Sequence, residues 1–403
     1  MERIKDVIVT GGGAAGIVAA VRAAERGKSV LLLEKSDRFG RKILASGNGR
    51  CNLMNRGAPR YYGDPEFAAR VLAQCTQEEL TGFFRRYGLF LTEEEDGRVY
   101  PVTERSDTVL NVLKTAMEAA GVSTETNACV TGAAKENESF ILSDADGKKY
   151  ECRKLVIACG GTAQPKLGGS ADGYRLLESF GHTLIRTFPS LVPLETDKRS
   201  VSGLSGIRVR CRVTLYEDDK ALHSETGELL FTDYGISGIC VMQCARFAEG
   251  RGTRMEADLL YGVFEGERQL TEELARKRKL FPDKSPVTLL EGLLASRVAY
   301  AVLKQAGIPM RGETAGELTD EDLERVARTA RGYRIGITGS RGMDYAQVTA
   351  GGMDCREFDP LTMESRIVPG LYAAGEVLNV DGDCGGFNLM FAFSSGLNAG
   401  NAV

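Results

Sequence analysis

The sequence predicts an α/β fold, a parallel-sheet domain interrupted by an α+β insert, and three observations carry that expectation. Residues 6–10 read as a short buried strand, the turn Gly11-x-Gly13-x-x-Gly16 follows, and a helix over 17–26 leads into a second buried strand at 29–34. Short apolar runs that end in glycines recur at 155–161 and 370–376. Between them, from about 191 to 344, the texture changes to alternating strands and charged helices. A strand–helix–strand unit crosses over right-handed, so its two strands lie parallel.

The elements follow in order. Gly27 is placed to end the first helix. The segment from Phe39 to Asn52 is rich in glycine and reads as a loop. Helical character runs over 65–87, and Thr76 with Glu79 has capping-box spacing inside it, so two helices are expected. A helix over 106–120 stops at Gly121. Residues 126–152 alternate, with a turn at 144–147, as a small antiparallel meander, and a separate buried strand follows at 155–161. Pro189 and Pro193 mark a boundary. Beyond it, 207–213 alternates as a strand, and helices are expected over 267–280, near 287–305 and at 319–331. After Gly351 and Gly352 the glycine-rich style returns, and a helix over 387–400 closes the chain. The predicted domains are 1–190 joined with 345–403, and an insert of 191–344 that serves as substrate domain or lid.

Composition bounds the function. The 403 residues are 43% hydrophobic and 26% charged, and Lys+Arg minus Asp+Glu is 51 − 55 = −4. No bulk positive field draws the chain to nucleic acid or an anionic membrane, so a small-molecule substrate is expected, with neither as partner. The opening, residues 1–6, does not read as a leader. The uncharged stretch 384–403 holds Asn388, Asn398, Asn401 and four glycines, which argues against a membrane span. Ten scattered cysteines without a C-x-x-C read as reduced thiols in a cytoplasmic protein. Cys240 and Cys244 lie one helical turn apart, but packing explains them better than a metal. With only His182 and His223 present, no metal centre is expected, and both histidines read as structural or surface residues.

The chemistry sits in the glycine motifs. Gly11 permits the tight turn, Gly13 lets the backbone approach a pyrophosphate, and Gly16 lets helix and strand pack closely. Ala14 and Ala15 lie within the turn that leads into the helix, whose N-terminal N–H groups are offered to the phosphates. Glu34 ends the next strand 18 positions after Gly16 and is placed to bind a ribose, with Lys35 beside it. Near the other end, Gly375 and Glu376 follow a buried strand, where a carboxylate suits a ribitol hydroxyl of FAD. The helix starting near Gly386, with Asn388 and Leu389 in its first turn, would aim its N–H groups at the flavin O2 region. A nicotinamide dehydrogenase needs no such element, so the first domain reads as a Rossmann-like FAD-binding domain. In the intervening loop, Arg41, Lys42, Ser46, Gly47, Asn48, Gly49, Arg50, Cys51 and Asn52 suit a backbone wrapped round pyrophosphate and flavin, and Gly160 ends a neighbouring strand. Cys51 stands near the flavin in this reading without a partner cysteine, which discounts a disulfide reductase.

At these residues the chain resembles the BaiN/YhiN-like NAD(P)/FAD-dependent oxidoreductases, which include aminoacetone oxidase-like and bile-acid enone reductase-like members. The matching segments are 11–16, 40–52, Phe231-Thr-Asp-Tyr-Gly-Ile-Ser-Gly238, Val348-Thr-Ala-Gly-Gly352, Thr362-Met-Glu-Ser365 and 370–386. The resemblance implies a two-dinucleotide-binding-domain flavoprotein fold with an insert. It also implies FAD cradled by the first turn, by Arg50-Cys51-Asn52 and by the C-terminal segment, with Val130 holding adenine through backbone groups. It implies NAD(P)H as a transient electron donor, since no second Gly-x-Gly-x-x-Gly unit exists and Gly160-Gly161 and Gly168-Gly169 lack the spacing. The acceptor it implies is the activated C=C bond of a hydrophobic, steroid- or bile-acid-like enone. An amine oxidase using oxygen, or a flavin-bearing module for redox sensing or partner binding, stays open beside it. Tyr234 and Ser237 are the insert residues expected to face substrate. Ile239 stands where the family usually has Pro, and Cys384 where it usually has Thr. No catalytic acid or base, and no oligomeric state, is assigned.

Overall fold

The structure, a computed structural model, describes residues 4–248, 253–309 and 313–403. Residues 1–3, half of the opening that reads as no leader, lie outside the described residues. The chain divides into two compact units, Met1–Pro189 with Met343–Val403, and Ser190–Gly342.

In the first unit β1 (Lys5–Thr10), α1 (Ala14–Glu25) and β2 (Val30–Leu33) build the opening crossover. Val7, Ile8, Val9, Leu32 and Leu33 are buried, as parallel strands covered on both faces must be. β1 pairs parallel with β2 and with the strand Lys149–Ile157, which pairs parallel with Leu371–Ala373. Ser123–Glu125 adds a further parallel strand on β2. Lys149–Ile157 corrects one expectation. Its first four residues pair antiparallel with Ser139–Asp144, and its later ones pair parallel with β1. The meander's last strand and the buried strand at 155–161 are therefore one element. Arg153 and Lys154 lend a polar break to the sequence, yet the strand runs through them, with Lys154 paired to Val7 of β1.

Glu79 N donates to Thr76 Oγ1 and Thr76 N to Glu79 Oε2, and this reciprocal cap separates Pro65–Gln74 from Gln77–Arg86. Ser106–Ala120 ends on Gly121 in the left-handed region. The closing helix, Phe387–Ala402, packs along α1. A Cβ on Gly396 would lie 2.3 Å from Ala15 O, and one on Gly400 2.6 Å from Ala19 O, so only glycine permits this approach.

The second unit is a closed six-stranded barrel, in the order Leu194–Thr196, Gly235–Ser237, Lys220–Phe231, Arg208–Glu217, Thr253–Asp258 and Tyr333–Ser340. Cys211, Val213, Leu215, Leu229, Phe231, Met255, Ala257 and Ile335 are buried in it. Glu267–Leu280 packs on Asp320–Arg331. The helix expected near 287–305 is instead a 3-10 turn, Pro286–Leu289, and a helix, Ser296–Gln305. Gly292, at φ 81°, breaks the run between them. Among the described residues no helix is long and apolar enough to cross a membrane.

Candidate nucleotide and flavin site

The glycines of the first turn divide by what a side chain would meet. At Gly11, φ 102°, a Cβ would lie 2.4 Å from Ala158 O, and at Gly16 one would lie 1.9 Å from Gly11 O. Those two let backbone pack on backbone. At Gly13 a Cβ would meet nothing within 4 Å. Ala14 and Ala15 open α1 there, and no side chain caps the helix and no acidic residue stands in its first turn. Open space in front of uncapped amides fits a pyrophosphate.

Glu34 braces this turn. Its Oε2 accepts from Gly12 N at 2.7 Å and its Oε1 from Ser36 N at 2.8 Å. Each oxygen keeps a further lone pair for a hydroxyl donor. Ala128 N donates to Glu34 O and Asn127 N to Ser36 O, which brings the segment leading to Val130 alongside. Val130 itself is buried at the start of Val130–Glu136. Lys35 Nζ pairs with Asp172 at 3.0 Å.

The segment expected as a loop is more ordered than that. α2 (Arg41–Ala45) opens it, and a tight turn follows with Gly47, Asn48, Gly49 and Cys51 all at positive φ. Lys42 Nζ reaches Glu376 Oε2 at 2.8 Å, and Glu376 Oε1 accepts from Thr349 N at 2.8 Å. One ion pair thus joins two glycine motifs 334 positions apart. Arg41 donates to Lys166 O at 2.8 Å. Arg50 pairs with Glu94 and Glu104 and lies 4.0 Å over the Tyr100 ring, and the Glu94 bond pushes its guanidinium up. Ser46 Oγ donates to Ile43 O at 2.7 Å. Gly47, Asn48 and Gly49 are exposed.

Two candidates have other duties. Cys51 exposes no surface, and burial pushes its thiol up to about 12. Its enclosed thiol therefore supports the turn from beneath. Asn388 spends its amide on the preceding turn, accepting from Gly382 N and donating to Gly382 O, both at 2.8 Å. It shapes the entry to the closing helix instead of reaching outward.

The head of that helix carries the other observation that fits FAD. Gly386, φ 106°, precedes it, and no side chain caps it. Buried Asn52 has an Oδ1 without a hydrogen-bond partner, and a Cβ on Gly386 would lie 2.6 Å from that oxygen. An orphaned acceptor beside uncapped amides suits the mixed donor and acceptor edge of an isoalloxazine ring. Leu389 is half-buried one turn in. Gly375, φ 79°, brings its strand end against Ala15, and its N–H donates to Ser395 Oγ at 3.0 Å. Gly160, φ 74°, faces open space.

Sequence reasoning missed Thr349 as a strut. Its Oγ1 accepts from Ala163 N at 2.9 Å while its N–H holds Glu376. The Val348–Gly352 motif was visible, but not the direction of its side chains. His182 is buried, with Nδ1 2.9 Å from Glu357 Oε2 and Nε2 2.9 Å from Ser365 Oγ, and stacks on Phe358. Ser365 Oγ also accepts from Ile367 N and Val368 N, so this triad is a structural clasp. His223 stacks on Phe247 and meets Glu225. No group of three or more His, Cys, Asp or Glu able to hold a metal occurs among the described residues. Within the second unit, Arg341 lies 4.4 Å over the Tyr234 ring, Ser237 is half-buried, and Ile239 is exposed.

Comparison with known proteins completes the picture. The model of the HI0933-like protein Rossmann domain matches residues 5–402. A 3-dehydro-bile acid delta(4,6)-reductase of Clostridium scindens is 36% identical, covering 98% of each chain. A ribosomal RNA dihydrouridine synthase of Escherichia coli is 33% identical, covering 98% of this chain and 96% of its own. Among solved structures, a 3-ketosteroid-delta4-(5alpha)-dehydrogenase from Rhodococcus jostii aligns at TM-score 0.50 with 16% identity, covering 100% of this chain and 97% of its own. That last likeness concerns the fold alone.

Proposed function

The chain belongs to the HI0933-like Rossmann-domain family and is an FAD-dependent oxidoreductase, and on that premise we propose that it reduces a C=C bond conjugated to a carbonyl in a hydrophobic, steroid- or bile-acid-like enone, with NADH or NADPH as donor. The observation that carries the reading is the 36% identity, end to end, with a reductase named for such a substrate. Conjugation is the chemical key. A hydride added at the far carbon leaves its charge on the carbonyl oxygen, and a proton then completes the near carbon.

FAD, when bound and reduced by the nicotinamide donor, would supply the hydride. The chain's own residues hold and orient it. The amides at the head of α1 and the space at Gly13 take the pyrophosphate, and Glu34 takes the ribose. The Lys42–Glu376 pair fixes the ribitol side, and Asn52 with the head of the closing helix meets the polar edge of the ring. In this reading the 190–342 unit is the substrate domain, with Tyr234 and Ser237 toward the acceptor. Lacking a second glycine-rich nucleotide turn, the chain holds a nicotinamide weakly and briefly, because few fixed contacts offset the entropy of binding. Donor and acceptor then alternate, which gives ping-pong kinetics.

A second reading is favoured by the relatives named for ribosomal RNA, at 33% and 31% identity. Uracil's ring double bond is also conjugated to a carbonyl, so the same chemistry would serve on RNA. The net charge of −4 supplies no general attraction to a polyanion. One anaerobic experiment separates these readings. The yellow protein is mixed with NADH or NADPH and the flavin band is followed, and then a steroid enone or a uridine-containing RNA is added. Bleaching by a nucleotide and recovery with the enone supports the proposal, and recovery with RNA alone moves it to the second reading. Bleaching by a primary amine, with none by either nucleotide, replaces both with an amine oxidase.

A further inference from the structure

Two cysteines meet inside the 190–342 unit. Cys211 lies in the strand Arg208–Glu217, and Cys240 is the second residue of the helix Ile239–Ala245. Both are buried, at 1% exposure. Cys211 stands directly across from Gly227 in the neighbouring strand. A Cβ on Gly227 would lie 3.2 Å from Cys240 Cβ and 3.7 Å from its Sγ. Cys240 therefore packs onto the bare backbone beside Cys211, where a larger residue at 227 would crowd it away.

We propose that Cys211 and Cys240 form a reversible disulfide, with hydrogen peroxide as the oxidant. Cys240 packs at the position directly across from Cys211, so the two side chains are neighbours, and the bond requires their sulfurs to close to about 2.05 Å. The mutual influence of the neighbouring thiols draws Cys240 down and pushes Cys211 up. Cys240 is therefore the attacking thiolate. Its sulfur takes one peroxide oxygen, the O–O bond breaks, and the second oxygen leaves with a proton as water. Cys211, losing its own proton, attacks that sulfur, the S–O bond breaks, and a second water departs. Two thiols have lost two electrons and two protons, and one peroxide has become two waters. By contrast, burial pushes Cys152 and Cys159 up to about 12 and 11, which keeps both as unreactive thiols. The Cys240 helix has only seven residues, so local opening admits a small neutral oxidant. The bond would tie the start of that helix, and the 232–238 turn before it, to the strand of Cys211.

The test uses the full-length protein, treated with hydrogen peroxide, alkylated in denaturant and digested without reductant. The expected intact-mass change is loss of two hydrogen atoms, with peptides containing residues 211 and 240 linked and dithiothreitol restoring the thiols. In Cys211→Ser, Cys240 should be trapped as its sulfenic acid by dimedone. Unchanged thiols, a linkage to Cys244 instead, or oxygen added at Cys240 without linkage overturns the proposal. The wild-type peptide map decides the matter even where a variant fails to fold.

Discussion

Replacing Glu34 with Ala should cost stability as well as cofactor. Oε2 and Oε1 each hold one backbone amide, those of Gly12 and Ser36. Gly12 is buried, so its N–H finds no water in exchange. A hydrogen bond to a charged group contributes about 1.5–3 kcal/mol, and a stranded buried donor costs a similar amount. Glu34 is half-buried and Ser36 has access to solvent, which discounts the second bond. The expected loss in flavin-free protein is about 2–4 kcal/mol. Glu34→Gln should fall between, because it keeps one acceptor oxygen and turns an NH2 group toward the other amide. Urea melts of flavin-free protein measure this directly, and added FAD should recover stability by mass action. Flavin-free Glu34→Ala unfolding within about 0.5 kcal/mol of wild type would show that the carboxylate does not brace the turn.

Other substitutions separate folding from binding. Gly13→Val adds a side chain to open space at φ −92°, so the flavin-free fold should melt normally while FAD is lost; full flavin content in that variant refutes the pyrophosphate assignment. Gly16→Ala drives a methyl into Gly11 O and should give little folded protein by circular dichroism, whatever the flavin supply. Gly386→Ala faces strain at φ 106° and contact with Met54 O, so flavin affinity should fall at least tenfold by equilibrium titration; unchanged affinity removes the closing helix from the site. Burial holds His182 below its ordinary 6.5, so the folded state binds fewer protons than the unfolded chain there. Its contribution is complete above about pH 6.5 and is lost as pH falls below it. The denaturation midpoint should drop between about pH 7.5 and 5.5, and His182→Asn should flatten that drop.

Much of the fold was legible because its signals are local. Glycine spacing and apolar runs specify the opening crossover, and Thr76 with Glu79 marks where one helix stops and the next begins. The 334-residue separation of Lys42 from Glu376 leaves no such trace; only the folded chain brings the two within 2.8 Å. The barrel was hidden for another reason. Leu194–Thr196 and Gly235–Ser237 are three residues each, too short to show alternation, yet they close the ring. Asn388 and Cys51 stand out in the sequence, but whether a side chain is already satisfied or enclosed depends on neighbours that periodicity does not name.

The seam between α1 and the closing helix also governs how the protein is made. Gly396 and Gly400 seat the last helix on carbonyls of Ala15 and Ala19, nearly the whole chain apart. During synthesis α1 leaves the ribosome early and waits, its apolar face uncovered, for a partner made much later. The barrel between them has its own complete ring and can form while that wait continues. Contacts of such sequence separation form slowly. The seam, which needs α1 and the closing helix together, is therefore completed late in folding.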